Sequence, residues 1–331
     1  MSASAIFPRM PITAAGYESF YLRAVSPSEP LGVWIRYTVH KRSGEPPLGS
    51  VWCTVFDAAR GRPFMQKLTT SALAQPAGGW IEVGSGEQRS SFGPAAASGR
   101  CGAASWDLRV RAEAPELRHL PREWLYRTRL PRTKLTSPAP DAIFDGVLEL
   151  AGERRIELDG WRGMVGHNWG SEHAERWIWM HGIGFPQAPE TWLDLALGRV
   201  RIAGRMTPWI ASGAVYLDGR LCRLGGLGAR GLEVRESAAG CSLTVPGDRH
   251  TRLRVHVRVP AGSAAGWRYA DPNGSEHDVV NCSVASVELR VDARGAATRE
   301  LHSAHGGVYE LGMRERDHGV AIAPFPDGAP A

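Results

Sequence analysis

Between Trp161 and Gly182 the chain reads WRGMVGHNWGSEHAERWIWMHG, which gathers four of its twelve Trp and three of its eleven His. Arg162, Glu172, Glu175 and Arg176 stand among them. His and carboxylate side chains can pass protons near neutral pH. Indole faces hold apolar matter and attract transient positive charge. In an extended chain Val165, His167 and Trp169 share one face, and Met164 and Asn168 the other. By the same parity Trp177, Trp179 and His181 lie opposite Arg176, Ile178 and Met180. If the two segments pair with aromatic faces aligned, His167, Trp169, Trp177, Trp179 and His181 form one surface. Gly163, Gly166 and Gly170 would then admit a backbone or a ligand at close range.

Three uses of this stretch compete. A metal ion shared by His167, Glu172, His173 and His181 is disfavoured, because six residues of strand separate His167 from His173 by about 20 Å. Trp and His could simply fill a barrel end, with each ring satisfied by carbonyls or by Glu172 and Glu175. The third use is an apolar cavity with a few polar groups aimed inward. His167 and Glu172 are then the candidates for proton transfer. Asn168 and His181 would orient a substrate, and Trp169, Trp177 and Trp179 would form its wall. Asp194, set in WLDLALG, and Asn281, set in VVNCSVASVEL, are further substrate-binding candidates, since each places a polar group in an apolar strand.

The elements that would position these groups are strands. GVWIRYTVH puts Val33, Ile35, Tyr37 and Val39 on one face, and RLRVHVRVP sets Leu253, Val255, Val257 and Val259 against Arg252, Arg254, His256 and Arg258. KRSGEPPLG reads as a hairpin connection, and Asp218-Gly219 in YLDGRL as a tight hairpin turn. FDGVLELAGERRIELDGWRGMVGHNWG reads as two or three strands turning at AGER and LDG. No helical period lasts beyond about two turns, with SEHAERW and PREWLYR as the short candidates. Leu117–Asp141, basic and ending in prolines, reads as a stiff connection that packs its aromatics on a barrel. Many short strands at this spacing predict an all-β protein of barrels or sandwiches. At 331 residues two units are expected, 1–186 and 187–331, divided where Pro186 and Pro189 interrupt pairing.

Composition narrows the functions. The net charge is +5, but 36 of the 39 basic residues are Arg (39 less Lys41, Lys67 and Lys134), a bias that codon usage alone can produce, so no nucleic-acid partner is inferred. Five widely spaced Cys form neither a disulfide framework nor a zinc ribbon. No secretory leader or membrane-spanning run is visible, so a cytoplasmic location is expected, with peripheral access to a membrane left open. No nucleotide-binding motif precedes a helix. The expected partner is a hydrophobic small molecule; the oligomeric state is left open.

The segments GMVGHNWGSEHAERWIWMHG, PAPDAIFDG and LGVWIRYTVH together resemble the lipocalin-like superfamily. That group includes hydroxyneurosporene synthase (a carotenoid hydratase), the tocopherol cyclases and the lipocalin-like Diels–Alderases. The resemblance implies two lipocalin-like antiparallel β-barrel units packed together, a ligand pocket in or between them, and no cofactor. It also implies a terpenoid- or polyketide-like substrate undergoing proton-assisted hydration, cyclisation or isomerisation. Tocopherol cyclases carry an acid just before the Trp-Gly, where this chain has His167-Asn168. Any acid chemistry must therefore come from His167, Glu172 or His181. A non-catalytic carrier of apolar molecules is the alternative.

Overall fold

The computed structural model describes residues 14–226, 228–323 and 325–328, with the side chain of 249 excepted. Among them the regular structure is almost wholly strand, with three single-turn 3-10 segments and no α-helix. No helix is long and apolar enough to cross a membrane.

The first twelve strands form one sheet. They are β1 (Gly16–Val25), β2 (Leu31–Lys41), β3 (Leu48–Asp57), β4 (Phe64–Thr70), β5 (Leu73–Ala74), β6 (Ile81–Val83), β7 (Ser90–Phe92), β8 (Ala96–Cys101), β9 (Ala104–Ala112), β10 (Leu117–Arg118), β11 (Thr133–Leu150) and β12 (Arg154–Gly170). Their order is β4-β3-β2-β1-β12-β11-β9-β8-β7-β6-β5, with β10 beside β11. The sheet curls on itself: the Cys101 thiol reaches the Val51 carbonyl at 3.3 Å, and Leu73 and Val83 press against Gly49. Inside it Phe20, Leu22, Val33, Ile35, Tyr37 and Val39 join one buried cluster, as the alternation of GVWIRYTVH predicts.

The second sheet holds β13 (Arg176–Gly182), β14 (Trp192–Arg199), β17 (Ile210–Leu217), β18 (Arg220–Gly225), β19 (Glu233–Ser237), β20 (Gly240–Pro246), β21 (Thr251–Arg258), β22 (Ala265–Ala270), β23 (Glu276–Ala293) and β24 (Arg299–Met313). Its order is β18-β17-β14-β13-β24-β23-β21-β20-β19, with β22 on β23. A small hairpin, β15 (Arg201–Ile202) with β16 (Arg205–Met206), stands apart. A bridge from Leu224 to Gly247 draws the far edges together. The chain is thus all-β, as the strand pattern predicts, and its two units are lipocalin-like antiparallel barrels, as the resemblance implies.

Several local features follow from chemistry already visible in the chain. Asp218 and Gly219 both take positive φ (51° and 74°) between β17 and β18, as a two-residue hairpin requires. Three expectations need correction. SEHAERW forms no helix. The basic segment opens with the short strand β10, is a connection from there to Arg132, and is strand again from Thr133, where register shifts around Ala139 and Ala142 take up Pro138 and Pro140. Likewise LDG makes no chain reversal. It sits within β12, beside a register shift between Phe144 and Gly146.

The sheets change over between Gly170 and Arg176, and β13 pairs with β14 and β24. A division of the chain at 186/187 is a proposal about folding units; the hydrogen bonding itself assigns β13 to the second sheet. The barrels pack face to face. Val25, Trp34, Trp52 and Phe56, on the outer face of the first, merge with the core of the second. Tyr21, Met164, Trp179 and Val308 make a smaller cluster at the seam.

Candidate active site between the barrels

Parity along β1 creates the first wall of the seam. Phe20, Leu22 and Ala24 fill the first barrel, so Tyr17, Ser19, Tyr21 and Arg23 must face the second. Register carries this outward face across to Arg36 and Thr38 on β2, Trp52 on β3, and Asn168 and Gly166 on β12. The opposing wall follows the same rule. Trp177, Trp179 and His181 lie beside Gly312, Glu310 and Val308 of β24, and Glu310 beside Asn281 of β23. Two glycines make the fit possible. A Cβ on Gly166 would fall within the Tyr21 ring, and one on Gly312 within the Trp177 ring.

The seam is polar to a degree that ordinary packing does not explain. Among the described residues Arg36 Nη1, Trp52 Nε1, Asn168 Oδ1, Trp267 Nε1, Asn281 Oδ1 and Ser283 Oγ are buried without a hydrogen-bond partner. Such atoms are rare in native interiors and concentrate where water or a ligand serves them. Asn168, Trp177 and Ala196 also keep intermediate exposure within this largely buried layer, which marks accessible space beside them.

Glu310 stands at the centre of this layer. Its Oε1 accepts from Trp177 Nε1 at 2.8 Å, and its Oε2 from Asn281 Nδ2 at 3.0 Å and Tyr269 OH at 3.4 Å. The Arg36 guanidinium lies 3.9 Å over the Tyr269 ring and 3.3 Å from Asp327. Burial disfavours the Arg36 charge, but Asp327, Tyr269 and Glu310 outweigh it and hold its pKa above the usual value. Burial, reinforced by Glu310, pushes the Tyr269 phenol well up, so it serves as a neutral donor.

Further along the seam Asp194 accepts from Trp179 Nε1 at 3.1 Å and from Ser137, with His119 3.3 Å away. Burial works against this carboxylate, yet His119, His181 and Ser137 bring its pKa below the ordinary value. His181 donates from Nε2 to the Pro140 carbonyl at 2.8 Å, leaving Nδ1 to accept from Arg23 at 3.4 Å. Burial and then Arg23 lower the His181 pKa to about 4. Arg23 itself is fully buried and donates to the Ser283 and Gly306 carbonyls; burial draws its pKa down to about 9.

Six of the nine residues singled out from the sequence therefore meet at the seam: Asn168, Trp177, Trp179, His181, Asp194 and Asn281. The single surface expected of the Trp/His stretch does not form. His167 and Trp169 lie on the opposite face of β12, inside the first barrel. There His167 Nε2 reaches Glu18 Oε1 at 2.6 Å, and its ring stacks between Phe20 and Trp169. The reason is the crossover at 171–175, which carries β13 to a different sheet. Glu172, on that crossover, pairs with Arg132 and Arg314. Sequence reading overlooked Glu310. Its neighbour Tyr309 points the other way, into the second barrel, and donates to the Ser237 carbonyl. An acid alternating with buried apolar residues was the available signal. Arg36, in the middle of an apolar strand, carried the same one.

A concavity of about 730 Å³ on the outside of the second barrel, lined by Arg254, His256, Glu288 and Arg290 among others, offers less. It is open to solvent, and its charges neutralise one another through Arg290–Glu300 at 2.8 Å and Arg254–Asp292 at 2.6 Å.

Fold and seam place the chain in a class: all-β proteins built of two lipocalin-like barrels in face-to-face contact. No family model matches it. An uncharacterized protein of Mycobacterium tuberculosis strain H37Rv is 26% identical over 343 residues, covering 99% of this chain and 94% of its own. Among solved structures, CghA with Sch210972 superposes with a TM-score of 0.61 at 14% identity, over 90% of this chain and 88% of the other. Kievitone hydratase from Nectria haematococca gives 0.53 at 10% identity over 93% and 91%. A protein of Nitrosomonas europaea described as a putative AttH gives 0.52 at 12% over 91% and 92%. These likenesses establish a shared fold.

Proposed function

We propose that the chain is an enzyme that binds a hydrophobic terpenoid- or polyketide-like molecule between its barrels. Its side chains, without an organic cofactor, would drive a proton-assisted hydration, cyclisation or isomerisation. The observation that carries this reading is Glu310, a buried carboxyl clamped by three neutral donors beside the partly accessible Trp177. A carboxylate held this way can take a proton from a bound molecule and return it to a neighbouring atom of the same molecule without moving. Trp177, Trp179 and Tyr21 offer aromatic faces to the positive charge that protonation creates. Burial of the seam between the barrels would keep bulk water from quenching it. Two relatives in fold support the substrate class, since one is a hydratase of kievitone and another was crystallised with Sch210972. The pair His167–Glu18 lies behind the β1–β12 wall, and in this reading it shapes that wall.

The test is Glu310→Gln, assayed by mass spectrometry of products from a panel of polyene and polyketide precursors. Turnover is expected to fall by about 100-fold or more with substrate still bound. Turnover unchanged by the substitution removes Glu310 from the chemistry. Binding of panel members that are always returned unaltered makes the chain a carrier instead.

A further inference from the structure

At one end of the seam the crossover meets the β22–β23 hairpin, and three buried side chains converge. His173 comes from the crossover, Asp271 from the end of β22 and His277 from the start of β23. One donor atom from each lies within 4.8 Å of the others. Asp271 is already oriented. Its Oδ1 accepts from the His173 backbone N–H at 2.9 Å and from His173 Nδ1 at 2.6 Å, and its Oδ2 accepts from Ser275 Oγ at 3.0 Å. His277 Nδ1 stands 3.7 Å from Asp271 Oδ2, just beyond hydrogen-bond reach.

The unusual feature is what these rings lack. His277 is fully buried, yet among the described residues neither of its ring nitrogens has a hydrogen-bond partner, and His173 Nε2 has none either. Desolvating three ring nitrogens without return is unfavourable, so a buried imidazole pair beside a carboxylate calls for an occupant. Two imidazoles and a carboxylate are the donor set that suits zinc and its neighbours among divalent ions. With bonds of 2.0–2.1 Å, tetrahedral donors sit roughly 3.3 Å apart, so small side-chain rotations close the present triangle. The rings are also fixed from outside: Tyr17 stacks on His173 at 4.2 Å and Trp177 at 5.3 Å. Burial and then the neighbouring His173 lower the His277 pKa to about 3, so the ring is neutral at neutral pH and one nitrogen offers a lone pair.

We infer that His173, Asp271 and His277 form a binding site for a divalent transition ion of the zinc class, which staples the inter-barrel crossover to the β22–β23 hairpin. Arg314, 3.9 Å from Asp271 and paired with Glu172 and Glu175, closes the outer side of the site. The role is structural, and it stands independently of any chemistry at Glu310.

The experiment is titration of the intact, chelator-treated chain with Co2+ and then Zn2+. One equivalent of Co2+ at micromolar affinity, with visible bands of a four- or five-coordinate ion that Zn2+ abolishes, is expected. His277→Gln and Asp271→Asn, checked by circular dichroism for a retained β spectrum, should each weaken binding at least tenfold. Zn2+ should raise the melting temperature of the parent chain and leave that of the variants unmoved. No stoichiometric Co2+ or Zn2+ binding to the parent chain overturns the proposal whatever the variants do. So does binding that both folded variants retain.

Discussion

At the scale of single residues, the seam shows why neutral and charged groups can share a dry space. His181 illustrates the balance. Its imidazole sits between the Pro140 carbonyl and the Arg23 guanidinium, and burial with that neighbouring cation lowers its pKa from 6.5 to about 4. The folded chain therefore refuses a proton that the unfolded chain accepts once the pH drops below about 6.5. Stability contributed by neutral His181 is full above that value and is lost as the pH falls toward 4, by up to about 1.4 kcal/mol per pH unit. Urea midpoints between pH 7 and 4.5 should fall less steeply for His181→Gln than for the parent chain; equal slopes would place the protonation change elsewhere. Such a residue is legible in sequence as a His at an inward parity position. Its partner is not, because Arg23 lies 158 positions away.

At the scale of elements, strand pairing turns a period of two into a sorted pair of faces. β13 and β24 are the clearest case. Ile178 and Met180 enter the second core while Trp177 and Trp179 face the first barrel. Room for the larger ring comes from the strand beside it, since Gly312 lies directly opposite Trp177. Gly312→Val would force the indole off its present position and break its bond to Glu310. We expect a loss of roughly 1–3 kcal/mol, the usual cost of overpacking, with changed tryptophan emission. An unchanged urea midpoint would mean that the ring has room to move. The alternation in these strands was readable in advance. That β12 and β13 belong to different sheets was not, because five residues of crossover look the same in sequence as a hairpin.

At the scale of the molecule, the barrels are joined by more than packing. Residues near the C-terminal end of the described chain touch both. Ile322 bridges Gly266 of the second barrel, Lys67 of the first donates to the Phe325 and Pro326 carbonyls, and Asp327 pairs with Arg36. Arg36 and Asp327 are both almost wholly buried, with side chains 2% exposed. Removing one partner of a buried pair leaves the other desolvated and uncompensated. Asp327→Asn should therefore cost about 3 kcal/mol. Because the cores merge through Trp34, Trp52 and Phe56, both barrels should unfold in one transition, seen alike by far-ultraviolet dichroism and tryptophan emission. Two separated transitions would show that the seam does not couple them.

By itself the sequence determined that the chain builds short antiparallel strands, that it punctuates them with Asp218-Gly219 and similar turns, and that it sets Trp, His and acid groups on alternating positions. Those properties are local, fixed by backbone sterics and by which neighbours can share a face. Only the tertiary structure decided which faces look at each other. Glu310 meets Tyr269, Arg36 meets Asp327 and His173 meets Asp271 across gaps of 41, 291 and 98 residues. Such meetings depend on sheet order and on the crossover at 171–175, which no local period encodes. The polar seam is therefore a property of two packed barrels, although each strand that lines it announces its own alternation.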